Sequence, residues 1–155
     1  MVSPDRAMAI LLLSLAPGFE GRYAVLTALA MGLEPAAALL LASLGTAVLA
    51  LALPVSLDRL ERAILRRKRL NSIGRLYEKY VESTRRRISP YVNRYGPLGL
   101  ALFVALPLPL TGLWSGAIAA SVLGMDRARA ALALLTGGLA AELVVLLPLA
   151  ALKSH

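Results

Sequence analysis

The sequence predicts an all-α integral membrane protein: two similar apolar halves joined by a basic amphipathic segment. Three observations predict it. Of 155 residues, 58% are apolar and 17% charged, with a mean hydropathy of +0.70; a soluble domain carries about 45–50% and about 25%. Residues 56–95 hold 12 Lys or Arg against 4 acids, a net of +8, while the other 115 residues balance 5 basic against 5 acidic side chains. The apolar blocks on either side repeat one order of events: short arm, Pro/Gly break, second arm, Gly plus acid, long helix.

The repeat is visible in register. Displacing the chain by 92 residues sets Pro17 on Pro109, Ala28 on Ala120, Gly32 on Gly124, Ala36 on Ala128, Ala38 on Ala130, Leu40 on Leu132 and Gly45 on Gly137, 7 identities over 29 positions, with Glu34 against Asp126. Ala and Leu recur by chance in such a composition, so the Pro and the two Gly carry the signal. The first repeat covers residues 1–55, the basic linker 56–95 and the second repeat 96–155. The apolar N-terminus lacks a basic start and a small-x-small cleavage pattern ahead of a soluble domain, so it is expected to be retained.

In chain order, the first segment, 7–31, is interrupted from Pro17 to Arg22, leaving arms 7–15 and 23–31 of roughly 14 Å each, too short to cross a membrane. Residues 36–57 run 22 positions without a charge, roughly 33 Å as a helix, which spans a hydrocarbon core of about 30 Å. The linker shows apolar residues at three- and four-residue steps, opposite faces filled by Arg and Lys, and four Tyr, as expected of a helical segment at headgroup level. It could recognise anionic lipid, but the simpler reading is a topology anchor that holds residues 56–95 in the cytoplasm. In 97–124, Pro107 and Pro109 each remove a backbone donor and clash with the preceding turn, and Gly112 and Gly116 follow, which leaves arms 97–106 and 113–124 of roughly 15 and 18 Å. Both this segment and 7–31 fit either a re-entrant hairpin reaching mid-membrane or a Pro-kinked spanning helix. Residues 127–152 form the second long helix.

The absence of Cys and the single His, His155, exclude disulfides, iron–sulfur clusters, thiolate zinc sites, Cys nucleophiles and Ser-His-Asp hydrolysis. No enzymatic activity, catalytic residue, metal or cofactor is expected. The basic excess lies between membrane segments, which argues against nucleic acid.

What remains is carboxylate, guanidinium, hydroxyl and backbone chemistry. Glu20 and Arg22 lie at the first break. Two residues apart they do not share a helix face, though they can pair in irregular backbone. At membrane depth such charges are functional candidates; at the water surface they would merely be solvated. Glu142 is the acid inside the second long helix. It is a titrating carboxylate for coupled transport, a structural partner for Arg22 from the other half, or both at once. At the second break, Pro109, Thr111, Gly112 and Trp114 combine freed backbone, a hydroxyl and close approach, and a half-helix starting at Gly112 would turn its positive end towards an anionic group.

The string Tyr95-Gly96-Pro97-Leu98-Gly99-Leu100-Ala101-Leu102-Phe103-Val104-Ala105-Leu106, continued by Pro107-Leu108-Pro109-Leu110-Thr111-Gly112-Leu113-Trp114-Ser115-Gly116, resembles the small multi-drug export protein family. Glu20, Arg22 and Ala24 match that family's earlier Glu-x-Arg-Gly-Ala-x-Pro pattern, from which Tyr23, Leu26 and, in the later motif, Leu110 depart. The family is itself similar to the DedA/VTT (SNARE-associated) membrane proteins. The resemblance implies an inverted repeat, each half a re-entrant hairpin (7–31 and 97–124) plus one transmembrane helix (36–57 and 127–152). It implies a transporter or translocase, with or without ion or proton coupling, whose site forms where the two breaks meet.

The alternatives are a lipid scramblase or polyprenyl-phosphate flippase of DedA type, with Arg22 on the phosphate, and a non-transporting membrane subunit. Expected partners are membrane lipids and a small-molecule or lipid substrate. Small residues on the long helices (Ala36, Ala37, Ala38, Ser43, Gly45; Gly137, Gly138, Ala140, Ala141) predict a homodimer or larger homo-oligomer. The expected location is the cell membrane, multi-pass, with both termini opposite the basic linker.

Overall fold

A computed structural model describes residues 3–66, 79, 82–83, 86, 94–108 and 111–153. Its described elements are helical: α1 (Pro4–Leu15), α2 (Glu20–Ala30), α3 (Pro35–Arg66), α4 (Pro97–Ala105), α5 (Leu113–Val122) and α6 (Arg127–Lys153). Pro4, Pro35 and Pro97 each occupy a first helical position, where the missing N–H has no intrahelical role and φ is already helical. Most of the basic linker lies outside the described residues. Within it, Arg86 Nε donates to Glu82 Oε1 at 3.0 Å, one helical turn away.

Two stretches are long and apolar enough to cross a membrane, Pro35–Leu57 and Arg127–Leu149, 23 residues each, or about 34 Å. The remaining four helices have 12, 11, 9 and 10 residues, about half that length. They form two helical hairpins. In the first, Arg6 at the start of α1 donates to Met31 O beyond the end of α2, at 3.3 Å.

Two turns related by the 92-residue displacement make matching hydrogen bonds. After α2, Leu33 N–H donates to Ala28 O at 3.0 Å; after α5, Met125 N–H donates to Ala120 O at 2.9 Å. Both bonds close a turn around a glycine in left-handed backbone, Gly32 (φ +79°) and Gly124 (φ +66°), a conformation that glycine adopts without steric penalty. These positions coincide under the 92-residue displacement. So do Gly45 and Gly137, and each is crossed by the first arm of its own half. A Cβ on Gly45 would overlap Ser14 of α1, and one on Gly137 would overlap Val104 and the Ala101 carbonyl of α4.

Each long helix also reaches into the other half. Ala38 and Ala42 of α3 pack in an apolar cluster with Ile10, Ala24, Val25 and Ala28 of the first hairpin, and Leu146 of α6 joins them. Further along, Leu49, Leu53 and Leu57 of α3 join Leu100, Val104, Leu113 and Ala117 of the second hairpin, with Ala130, Ala133 and Leu134 of α6. As α3 numbering rises, α6 numbering falls, so the two helices are antiparallel. The principal packed pairs (α1–α2, α1–α3 and α2–α3; α4–α5, α4–α6 and α5–α6; α3–α6, α3–α5 and α2–α6) map onto themselves when the halves are exchanged. Between the two apolar clusters lies a buried polar layer containing Glu20, Arg22, Thr46 and Glu142.

The small residues expected to join two copies are in part occupied within one chain. Ala38, Gly45, Gly137, Gly138 and Ala141 are buried, and the exposed apolar side chains of α3 are instead Leu40, Leu44, Val48 and Leu51.

Candidate functional site

The second break begins where Pro107 forces Leu106 into extended backbone (φ −66°, ψ 127°), ending α4 at Ala105. Helix α5 starts at Leu113, after Gly112. An interruption inside an apolar protein exposes the last carbonyls of one helix and the first N–H groups of the next, which need partners. Thr111 supplies part of this locally. Its Oγ1 lies 2.5 Å from Leu106 O and 2.8 Å from Leu108 O, as donor, and accepts Leu108 N–H at 3.2 Å.

The rest comes from the other half of the chain. Arg22 of α2 donates from Nη1 to Leu106 O at 3.0 Å, and from Nη2 to Thr111 O and to Val104 O at 3.5 Å. Glu20 accepts the N–H groups of Leu113 (Oε2, 3.0 Å) and Trp114 (Oε1, 3.2 Å). A cation thus meets the carbonyl end of α4 and an anion the amide end of α5, each matching the local helix dipole. The two side chains also pair, Nη2 to Oε2, at 3.4 Å. Both residues are buried, Glu20 7% and Arg22 5% exposed. The Glu20 carboxylate thus lies at the amide end of α5.

Helix α2 starts at Glu20, earlier than the sequence suggests. Glu20 itself has φ +50°, a left-handed conformation that costs a non-glycine residue about 1–2 kcal/mol. This departure from the helical track lets residues two apart pair. Gly112 leaves room for them: a Cβ there would meet the Glu20 carboxylate and the Arg22 guanidinium. Gly116, one turn further, lies against Val104 and Leu134.

Glu142 does not pair with Arg22. It is fully buried, and its carboxylate accepts the hydroxyls of Ser43 (2.7 Å) and Thr46 (2.5 Å), both on α3. It stands directly behind Gly21, where a Cβ would overlap its Oε1 and Thr46 Oγ1. One tripeptide therefore serves both places: Glu20 and Arg22 face the second break, and the Gly21 backbone faces Glu142.

The structure thus brings Glu20, Arg22, Thr111, Gly112 and Trp114 together, with Glu142 behind them. Pro17, Gly18 and Pro107 lie on exposed turns, and Pro109 lies outside the described residues. Trp114 packs against the second apolar cluster. Its indole Nε1 is buried without a hydrogen-bond partner among the described residues. Sequence reasoning read Ser43 only as a helix-contact residue and passed over Thr46 and Gly21. A usable signal was present: two hydroxyls three residues apart, hence on one helix face, inside an otherwise apolar run. No group of three or more His, Cys, Asp or Glu able to hold a metal occurs among the described residues.

Compared with known families, residues 20–144 match the family model described as "Putative small multi-drug export protein". No match was found among curated proteins or among solved structures.

Proposed function

The chain belongs to the small multi-drug export protein family, and from that premise we propose that it is a membrane transporter whose substrate path passes the junction of α2 with the 106–112 break. One observation carries the reading: a buried Glu20–Arg22 pair from one half holds both open helix ends of the other. Buried charge and irregular backbone are costly in a membrane and mark places where a polar path forms. A junction between two halves is also where relative movement would open such a path to alternate sides.

The same reading makes the halves an inverted repeat, each a re-entrant hairpin plus one crossing helix. The antiparallel α3–α6 pair, the short arms and the exchange symmetry of the packing support it. On this arrangement the turns at 17–19 and 106–108 reach membrane depth. They are exposed on the single chain, and irregular backbone there must be covered by protein or water. A second copy seated over these turns, where Phe19 and Tyr23 stack edge-on at 6.2 Å, would cover them, so the functional unit in this reading is a homodimer. The chain acts by moving its substrate and performs no chemistry on it.

Proteoliposomes loaded with ethidium, a lipophilic cation, test the function. Folded wild-type protein should carry dye at least tenfold faster than protein-free vesicles. Glu20→Gln should abolish the excess, and the exposed Glu34→Gln should retain it. Dye flux equal to empty vesicles, together with rapid exchange of fluorescent lipid headgroups between leaflets, would replace transport by lipid scrambling. Neither activity in folded protein would leave a non-transporting subunit. The engagement of Arg22 by three carbonyls and Glu20 argues against its holding a lipid phosphate.

A further inference from the structure

Two buried carboxylates share this interior, and their surroundings differ in kind. The partners of Glu20 are two backbone N–H groups and a guanidinium, which can only donate. The partners of Glu142 are two hydroxyls, and a hydroxyl can donate or accept. Among the described residues no cation lies within ion-pair distance of Glu142, because Arg22 is paired with Glu20. On the elements packed around it, α4 and α5 carry no ionisable side chain. Helix α2 offers Glu20 and Arg22, both turned to the break, and Tyr23, which is exposed. Helix α3 presents Ser43 and Thr46, with Glu34 before its start and Arg59 beyond its apolar stretch; α6 has Asp126, Arg127 and Arg129 at its opening turn.

We propose that Glu142 is a reversible proton-binding site, coupled through Gly21 to the Glu20–Arg22 junction. As a carboxylate, Glu142 accepts from both Ser43 and Thr46. On taking one proton from a hydronium ion, which is left as water, it becomes a carboxylic acid, and no bond of the protein's carbon or nitrogen atoms changes. The new O–H donates to one hydroxyl, whose own hydrogen turns to a carbonyl of the preceding helical turn; the second oxygen still accepts from the other hydroxyl. Both protonation states are thus hydrogen-bonded without backbone rearrangement. A metal cation fits less well, since among the described residues no group of three or more His, Cys, Asp or Glu stands together here to hold one.

The coupling is steric and electrostatic. Gly21 has no side chain between its backbone and the Glu142 carboxylate, and its chain neighbours are the two residues that hold the break. A change of charge or hydroxyl orientation at Glu142 therefore acts on the N-terminus of α2 and on the position of both. Under the 92-residue displacement Glu142 corresponds to Ala50, a buried apolar residue, so one half alone carries the proton site. The proposal extends the transport reading by supplying a coupling ion. Its test uses no substrate, so its failure would leave transport standing.

Trp114 provides the readout. It is the protein's one tryptophan, and its backbone N–H donates to Glu20 at 3.2 Å. In the full-length protein in nanodiscs, Trp114 emission should change in one step as pH is varied. The infrared difference spectrum should show a carboxylic-acid C=O band over the same interval. Glu142→Gln should remove step and band together. Thr46→Val, which keeps shape and deletes one hydroxyl, should keep both and move the common midpoint by about one pH unit or more. A band unchanged in Glu142→Gln overturns the proton site. An emission trace with no step, or one that persists in Glu142→Gln, overturns the coupling. A step that follows sodium concentration at fixed pH overturns the proton as the bound ion.

Discussion

Glu20→Gln is the most informative single substitution, because it keeps size and removes function from one oxygen. The carboxylate accepts Leu113 N–H at 3.0 Å and Trp114 N–H at 3.2 Å and faces Arg22 at 3.4 Å. The amide has one acceptor oxygen, and its NH2 must point at a donor. At least one buried N–H loses its partner, costing about 1–3 kcal/mol. Arg22 in addition keeps a buried charge with no carboxylate, which brings the total to about 3–5 kcal/mol, the range for removing one member of a buried pair. Denaturant unfolding in mixed micelles, followed by helical circular dichroism, measures this loss. The exposed Glu34→Gln should stay within about 0.5 kcal/mol of wild type. Glu20→Gln combined with Arg22→Gln should cost less than the sum of the two singles, by about 1–3 kcal/mol. A Glu20→Gln loss below about 1 kcal/mol, or strict additivity in the double variant, refutes the idea that this pair holds the second break.

Gly137→Ala forces a methyl into the Ala101 carbonyl and Val104 and should destabilise by about 1–3 kcal/mol or more. Gly18→Ala meets open space at φ +86° and should cost about 1–2 kcal/mol, from backbone strain alone. With no native cysteine, Phe19→Cys in native membranes should form a chain-to-chain disulfide if a second copy covers the turn at 17–19; a chain that stays uncrosslinked under oxidation counts against the dimer. Single cysteines at Ser3, Ser72 and Ser154 test the proposed topology. Positions 3 and 154 should react with an impermeant maleimide in intact cells, and position 72 only after permeabilisation. Protection of all three would restore four crossings and remove the re-entrant arrangement.

The apolar arms were readable because composition and Pro/Gly placement act locally. Residues 97–106 and 113–124 read as arms, and α4 and α5 occupy 97–105 and 113–122. The start of α2 was less legible. Glu20 and Arg22 look like loop residues in an apolar chain, and only partners about 90 positions away make a helical start there acceptable. Gly137 and Gly138 read as a surface for another copy, since sequence does not distinguish close approach within a chain from approach between chains. Glu142 was legible as a buried acid from its place in an uncharged run, but its partners were not. Register between two antiparallel helices decides whether Arg22 or Ser43 and Thr46 meet it, and that register is fixed by packing around Gly21 and Gly138.

The charged ligands of the break and the break itself lie far apart in order of synthesis. Glu20 and Arg22 leave the ribosome some ninety residues before Leu106 and Leu113, whose carbonyl and amide they hold. The first half can reach the membrane with its acid and base already neutralising each other. The second half, carrying an interrupted helix with no charge of its own between Pro97 and Gly124, arrives where a partner is waiting. Were the halves made in the opposite order, the open helix ends would reach lipid first, unaccompanied. The division of labour between two halves of one architecture therefore gives the gene a direction: the part that satisfies is translated ahead of the part that must be satisfied.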